Sequence, residues 1–115
     1  IEAEKEFFTR YFGASAGEMY RNRNTGFCSY FLSFDGGARL ELMTAPGLQD
    51  MDKLPLRTGF AHLAFAVGSR REVDALTEQL RADGYAVVSG PRVTGDGYYE
   101  SCVLDAEGNR IEITE

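Results

Sequence analysis

The chain has 115 residues, of which 43% are hydrophobic and 26% are charged, as is typical of one folded domain with a modest core. Its formal net charge of −6 makes nucleic acid, with its phosphate backbone, a poor candidate partner. No apolar run approaches the roughly 18 residues of a membrane span, so we expect no membrane partner. No signal peptide is visible, and the two cysteines form no CxxC pair. We therefore expect a cytoplasmic protein.

The first half of the chain predicts a helix followed by three strands. Residues 1–12 carry aromatic residues at helical spacing and are predicted to form the helix. Strands are predicted at about 16–22, 27–34 and 38–43. Residues 44–58, which contain Pro46 and Pro55, are predicted to be a linker.

The second half predicts one strand before its helix and three strands after it. The helix is expected at 70–83, because Ser69 and Glu72 form a capping box at its start and Gly84 is suited to its end. Its strands are predicted at 59–67, 85–89, 98–104 and 109–114.

The two halves resemble each other. Each contains a strand, a turn rich in Asp and Gly, and then Arg, an apolar residue, Glu and another apolar residue. Glu41 and Glu112 are 112 − 41 = 71 positions apart, and Gly37 and Gly108 have the same separation. A shared offset in both turn and strand predicts an internal duplication.

The predicted fold is α+β, with two βαβββ modules that form a curved, half-open barrel and bind ligands on its concave face. The modules are assigned to residues 1–43 and 59–115, on either side of the linker. The first module lacks the strand that would precede its helix, and the repeat places this strand roughly a dozen residues before Ile1.

Three side chains are candidates for metal chemistry. His62 is the only histidine and is predicted to lie in mid-strand. Glu41 and Glu112 each lie between apolar neighbours and so point to the opposite face from them. If that face is solvated, both are ordinary surface residues and His62 is structural. If it is the concave face, a divalent ion would hold all three, and nitrogen and oxygen ligands suit Zn, Ni, Co, Mn or Fe.

Two further side chains are candidates for substrate binding. Tyr98 and Tyr99 are adjacent and therefore point to opposite faces of a strand, and we assign Tyr99 to the site. Arg92 would attract an anionic substrate, and a solvated arginine is the alternative interpretation.

Segments 7–13, 59–67 and 104–113 resemble the vicinal-oxygen-chelate superfamily, which includes glyoxalase I, fosfomycin-resistance enzymes, extradiol dioxygenases, methylmalonyl-CoA epimerase and bleomycin-binding proteins. The hairpin at 104–113 is the most specific part of this resemblance. The resemblance implies a homodimer that acts on or binds a small molecule. It also implies that Glu41, His62 and Glu112 match the last three of the four glyoxalase I metal ligands. The first ligand, a histidine, would lie in the missing strand at 62 − 71 = −9.

The resemblance leaves three functions open. A metal-dependent lyase or isomerase similar to lactoylglutathione lyase would stabilise an enediolate, with Glu112 or Glu41 moving the proton. The linker has no basic cluster that would bind a glutathione carboxylate. A drug-binding protein of the bleomycin-resistance type would need no metal. An extradiol-type dioxygenase would need a second histidine beside His62 and Glu112.

Overall fold

The computed structural model of the chain describes residues 1–53 and 58–115. They form two compact units, Ile1–Asp52 and Lys53–Glu115, which we call unit 1 and unit 2. Each unit has one helix and one four-stranded sheet, which confirms the predicted α+β fold of two modules. Pro55 of the predicted linker lies outside the described residues. No helix in the described part of the chain is long and apolar enough to span a membrane.

In unit 1 a helix precedes four strands. Its elements are α1 (Glu2–Tyr11), β1 (Ser15–Ala16), β2 (Tyr20–Arg21), β3 (Cys28–Ser33) and β4 (Arg39–Thr44). Strand β3 is central and antiparallel to its neighbours, with β4 along one edge and β1 and β2 along the other. Phe7, Phe8 and Leu32 are almost completely buried and form the core of this unit.

The strand predicted at 16–22 is instead two short strands separated by a bulge. Ser15 pairs with Ser33, whereas Tyr20 pairs with Ser29. The chain advances five residues from Ser15 to Tyr20, whereas their partners on β3 are four residues apart. One extra residue therefore interrupts the ladder.

In unit 2 one strand precedes the helix and three follow it. Its elements are β5 (Leu63–Ala66), α2 (Arg70–Ala82), β6 (Val87–Val93), β7 (Tyr99–Leu104) and β8 (Arg110–Thr114). The strand order is β5-β8-β7-β6, with β5 parallel to β8 and the other pairs antiparallel. The fully buried apolar core is formed by Val73, Leu80, Val103, Ile111 and Ile113.

The prediction that His62 lies in mid-strand is wrong, because β5 begins only at Leu63. Within the described residues β5 pairs with β8 alone, and Leu63 is aligned with Ile111. Strand β8 begins at Arg110, the residue that this register would place opposite His62, so the ladder has no room to extend further towards Gly59. His62 therefore immediately precedes the strand.

The strand predicted at 85–89 continues to Val93, beyond the expected end. It contains Gly90 and Pro91, which are tolerated because β6 is an edge strand and its register shifts twice against β7. Gly90 has φ +76°, and a Cβ placed there would lie 2.5 Å from the Glu100 carbonyl oxygen. Only glycine fits this close approach of two backbones.

The internal duplication predicted from the sequence is visible in the strand register. Phe31 faces Glu41 in the β3–β4 pair, and Cys102 faces Glu112 in the β7–β8 pair. Both residues of the second pair are displaced by 71 positions from those of the first. Glu41 and Glu112 therefore occupy equivalent places in their units.

A buried pair of hydroxyl groups joins α2 to its sheet. Thr77 Oγ1 lies 2.6 Å from Ser101 Oγ and also donates to the Val73 carbonyl oxygen at 2.6 Å. Both Thr77 and Ser101 are fully buried. The Ser101 hydroxyl therefore depends on Thr77 for its hydrogen bond, since water does not reach it.

Replacing Thr77 with valine is expected to lower the free energy of unfolding by about 1–3 kcal/mol, because it leaves the Ser101 hydroxyl buried and unsatisfied. The double variant Thr77→Val/Ser101→Ala removes both polar groups and should regain part of this loss. Urea unfolding of the two single variants and the double variant measures the coupling. Strictly additive losses would show that the hydroxyl pair does not act as a unit.

Candidate functional site

One face of the unit 2 sheet packs against α2. Ser101 contacts Thr77 of this helix, and Ile111 and Ile113 on the adjacent strand are fully buried. Because strand side chains alternate, the residues between them point to the opposite face, which we call the open face. On the two central strands the open face carries Glu100, Cys102, Glu112 and Thr114.

A histidine and a carboxylate meet on the open face. Nε2 of His62 lies 3.1 Å from Oε2 of Glu112. Ala64 pairs with Glu112 across the β5–β8 ladder, which puts His62, two residues earlier, on the same side of the sheet. The two side chains are 39% and 24% exposed, so a ligand can reach both. The structure thus brings together two of the three predicted metal ligands.

A second carboxylate, Glu100, lies on the same face and was missed by the sequence analysis. Burial and the negative charge of Glu112 raise the pKa of Glu100, while Arg92 opposes this shift. Glu100 lies two residues before Cys102, the cross-strand partner of Glu112, so the pairing of β7 with β8 puts it on this face. The open face therefore carries two neighbouring acidic groups beside a histidine.

Replacing Glu100 with glutamine is expected to favour the folded state more at pH 7 than at pH 4. A raised folded-state pKa means that the wild-type carboxyl stabilises the fold below the ordinary pKa of glutamate and loses this contribution as pH rises through the folded-state value. Glutamine has no such dependence. Urea unfolding of metal-free wild type and variant at both pH values measures the difference, and a difference independent of pH would contradict the prediction.

Arg92 reaches the open face from the edge strand β6. It is the cross-strand partner of Glu100, and its Nη1 lies 3.8 Å from Glu100 Oε1. Its side chain is 53% exposed. The predicted substrate-binding arginine is therefore on the same face as His62 and Glu112.

Tyr99, the other predicted substrate-binding residue, lies on the α2 side of the sheet. Its hydroxyl donates to Asp74 Oδ1 at 2.7 Å, and the Arg70 guanidinium lies 5.0 Å from its ring centroid. The hydrogen bond to Asp74 raises the pKa of Tyr99. The structure therefore does not bring Tyr99 to the face that carries Glu112.

Cys102 is the cross-strand neighbour of Glu112 and is buried. Burial raises the pKa of its thiol, and the Glu112 charge acts in the same direction, while Arg110 opposes both. A thiol with a raised pKa is a poor nucleophile at neutral pH. Cys102 therefore lies buried on the open face beside Glu112, with its thiol favoured in the protonated form.

Glu41, the third predicted ligand, is described within unit 1, where it is an exposed residue of β4. Its partner is Phe31 on β3. The preceding residue on β3, Tyr30, donates to Glu2 of α1, so Phe31 and Glu41 point away from that helix. Glu41 thus has the place in unit 1 that Glu112 has in unit 2.

His62 and Glu112 fit as two ligands of a divalent ion. They offer an imidazole nitrogen and a carboxylate oxygen, which suit Zn and its neighbours, and their exposure leaves space for other ligands. Among residues 1–53 and 58–115 no group of three His, Cys, Asp or Glu side chains is arranged to hold a metal. The pair therefore needs further donors to complete a metal centre.

Comparisons with known proteins begin with a family match along the chain. The model of the Glyoxalase/Bleomycin resistance protein/Dioxygenase superfamily matches residues 1–113. An uncharacterized protein of Bacillus subtilis (strain 168), YqjT, is 38% identical over 60 residues, which are 50% of this chain and 47% of YqjT. The match thus spans about half of that curated relative.

Solved structures of similar fold agree with the family match. A glyoxylase/bleomycin resistance protein/dioxygenase domain from Frankia sp. EAN1pec has a TM-score of 0.83 at 20% identity, over 99% of this chain and 87% of that one. A possible glyoxalase from Bacillus cereus has a TM-score of 0.72 at 25% identity, over 100% and 88%. Glyoxalase I from Zea mays has a TM-score of 0.79 at 21% identity, over 98% and 40%. The chain belongs to the Glyoxalase/Bleomycin resistance protein/Dioxygenase superfamily.

Proposed function

We propose that this protein is a metal-dependent lyase or isomerase of the glyoxalase type, which acts on a small substrate with two neighbouring oxygens. The observation that carries the proposal is the approach of His62 Nε2 to within 3.1 Å of Glu112 Oε2 on the open face. Membership of a superfamily that includes glyoxalase I supports it.

His62 and Glu112 would hold the metal, and Glu41 is proposed as a further ligand because it is the repeat equivalent of Glu112. When bound, a divalent ion such as Zn, Ni, Co, Mn or Fe would stabilise the negative charge that develops on the substrate oxygens. The ion would also partly neutralise the charge of its carboxylate ligands.

Glu112 or, as the alternative, Glu41 would act as the general base in the proton transfer between adjacent substrate carbons. The Glu112 carboxylate is partly withdrawn from water, and the pairing of β8 with β7 fixes its position. Arg92, on the same face, is proposed to bind substrate. A substrate role for Tyr99 stays a prediction, since its hydroxyl is bound to Asp74.

Metal uptake by the full-length protein tests the proposal. The protein is stripped with a chelator, exposed in turn to Zn, Ni, Co, Mn and Fe(II), freed of excess ion, and submitted to elemental analysis. We expect about one equivalent of at least one metal, with less uptake after His62→Gln. Absence of uptake of all five would overturn the proposed function.

A non-catalytic binding protein is the second candidate, and one observation favours it. The face of the unit 1 sheet that carries Glu41 also exposes the apolar side chains of Phe31 and Met43, which are 44% and 57% exposed. Apolar surface of this kind suits an organic ligand. Ligand binding unaffected by a chelator would support this candidate. The dioxygenase alternative requires two histidines, and these 115 residues contain one.

We also propose, from the superfamily, that the protein forms a homodimer. Light scattering coupled to size-exclusion chromatography should give twice the monomer mass. A cytoplasmic location stays a prediction from the sequence.

A further inference from the structure

The guanidinium of Arg92 has hydrogen-bonding capacity that the described residues leave unused. A guanidinium has five N–H donors. Within the described residues its contact is with Glu100, at 3.8 Å between Nη1 and Oε1, which is longer than a hydrogen bond. More than half of its side-chain surface is exposed. An anionic group could therefore bind it directly.

The backbone of β6 fixes where this guanidinium is presented. Register shifts between Val87 and Ser89, and between Ser89 and Arg92, bring Arg92 opposite Glu100. Gly90 lies within the second shift and approaches the β7 backbone too closely for any side chain. The position of Arg92 thus depends on a bulge that only glycine permits.

Glu100 keeps the guanidinium at the open face. Its carboxylate is 18% exposed and lies on the central strand β7, between Arg92 on one side and Glu112 on the other strand beside it. The attraction between Glu100 and Arg92 opposes rotation of the long arginine side chain away from the sheet. Glu100 is therefore a positioning residue for Arg92.

We infer that the ligand of the open face carries a carboxylate, which Arg92 binds while Glu100 positions the guanidinium and the ligand's other end approaches His62 and Glu112. The substrate class is then a small molecule with two vicinal oxygens and an anionic group at the opposite end. This inference rests on the proposed function for the identity of the reacting end, and on Arg92 alone for the anionic end. Planar guanidinium groups bind carboxylates through two parallel hydrogen bonds, which fixes the orientation of the bound group.

The first experiment is independent of any metal. Chelator-treated protein is titrated with glutarate or with its neutral diamide, and the arginine Nε–Hε resonances are followed by NMR, with Arg92 assigned from its glutamine variant. We expect the Arg92 resonance to move with glutarate and not with the diamide. An Arg92 resonance that does not move with glutarate would overturn the inference, whatever the outcome of metal uptake.

The second experiment uses metal-loaded protein and two hydroxamate probes with the same vicinal oxygens, propanohydroxamate and the monohydroxamate of succinic acid. We expect the carboxylate-bearing probe to bind at least about tenfold more tightly, measured by calorimetry. This ratio should fall close to one in Arg92→Gln, fall partly in Glu100→Gln, and persist in Arg71→Gln, which removes the same charge from the exposed surface of α2.

The inference would be overturned if wild type bound the two probes with equal affinity. It would also be overturned if Arg92→Gln still bound the acidic probe more tightly than the neutral one. The ratio of the affinities is unaffected by a general loss of stability, so it separates positioning by Glu100 from a merely structural role. Failure of metal uptake would overturn the proposed function alone, because the glutarate titration still decides whether Arg92 binds a carboxylate.

Discussion

Replacing Glu112 with glutamine is expected to weaken divalent-metal binding at least about 100-fold. Loss of an outer-shell partner costs up to about 100-fold, and loss of a direct ligand should cost no less. The amide is neutral and is a poorer metal ligand than the carboxylate. The negative charge that lies beside His62 Nε2 is also lost. Calorimetric titration of full-length protein with Zn measures the change. Turnover should fall as well, since the same carboxylate is the proposed base.

The matched control is Glu78→Gln, which makes the same chemical change at an ion pair with Arg81 on α2. It should leave the metal affinity unchanged. Because Glu112 is partly exposed, the glutamine variant should fold, and its thermal unfolding in the presence of a chelator checks this. Metal affinity equal to wild type in a folded Glu112→Gln protein would remove Glu112 from the ligand set.

Replacing Gly90 with alanine is expected to have the largest effect on stability, about 2–5 kcal/mol of unfolding free energy. An L-residue at φ +76° costs about 1–2 kcal/mol, and a misplaced methyl group costs about 1–3 kcal/mol more. The methyl group would lie 2.5 Å from the carbonyl oxygen of Glu100 and 2.9 Å from Cα of Ser101, both of which are backbone atoms of a central strand. Urea unfolding measures the loss.

Gly97→Ala separates the two contributions. Gly97 has φ +96°, and a Cβ there would meet nothing within 4 Å. Its replacement should therefore cost only the conformational part, about 1–2 kcal/mol. If Gly90→Ala and Gly97→Ala were equally destabilising, the close approach of β6 to β7 would contribute nothing, and the position of Arg92 would not depend on the bulge.

The fold could be predicted where periodicity and local chemistry act over several residues. Helix α2 is an example: the Ser69 side chain accepts a hydrogen bond from the Glu72 backbone N–H, as the capping box implied, and the helix ends before Gly84. The shared register of the two hairpins likewise follows from matched sequence offsets. Such signals are local and repeated, so they can be identified in the sequence without knowledge of tertiary contacts.

The bulges could not be predicted in the same way. The interruption between β1 and β2, and the shifts along β6, each insert one residue relative to the partner strand. A bulge depends on the partner strand as much as on its own residues, and Gly90 is tolerated within β6 because this is an edge strand. The sequence therefore indicated that strands exist but not where their ladders slip.

The candidate site was predicted in part for a related reason. Glu112 was identified because apolar residues flank it, and the structure brings His62 to it. Glu100 was missed because Tyr99 and Ser101 beside it are polar, so alternation alone does not show which side packs on α2. The contact of Ser101 with the helix decides this, and it also places Tyr99 on the helix side.

The parallel pairing of β5 with β8 has a consequence for the order of assembly. It joins the first strand of unit 2 to its last, so that His62 and Glu112, 112 − 62 = 50 positions apart, meet only after every other strand of the unit has been synthesised. Contacts so distant along the chain are entropically expensive and form slowly. The β3–β4 and β6–β7 hairpins can close before β8 has been synthesised, whereas the residue pair on which the chemistry is proposed to depend cannot form until β8 is present. If this pair carries the proposed chemistry, activity requires the whole of unit 2.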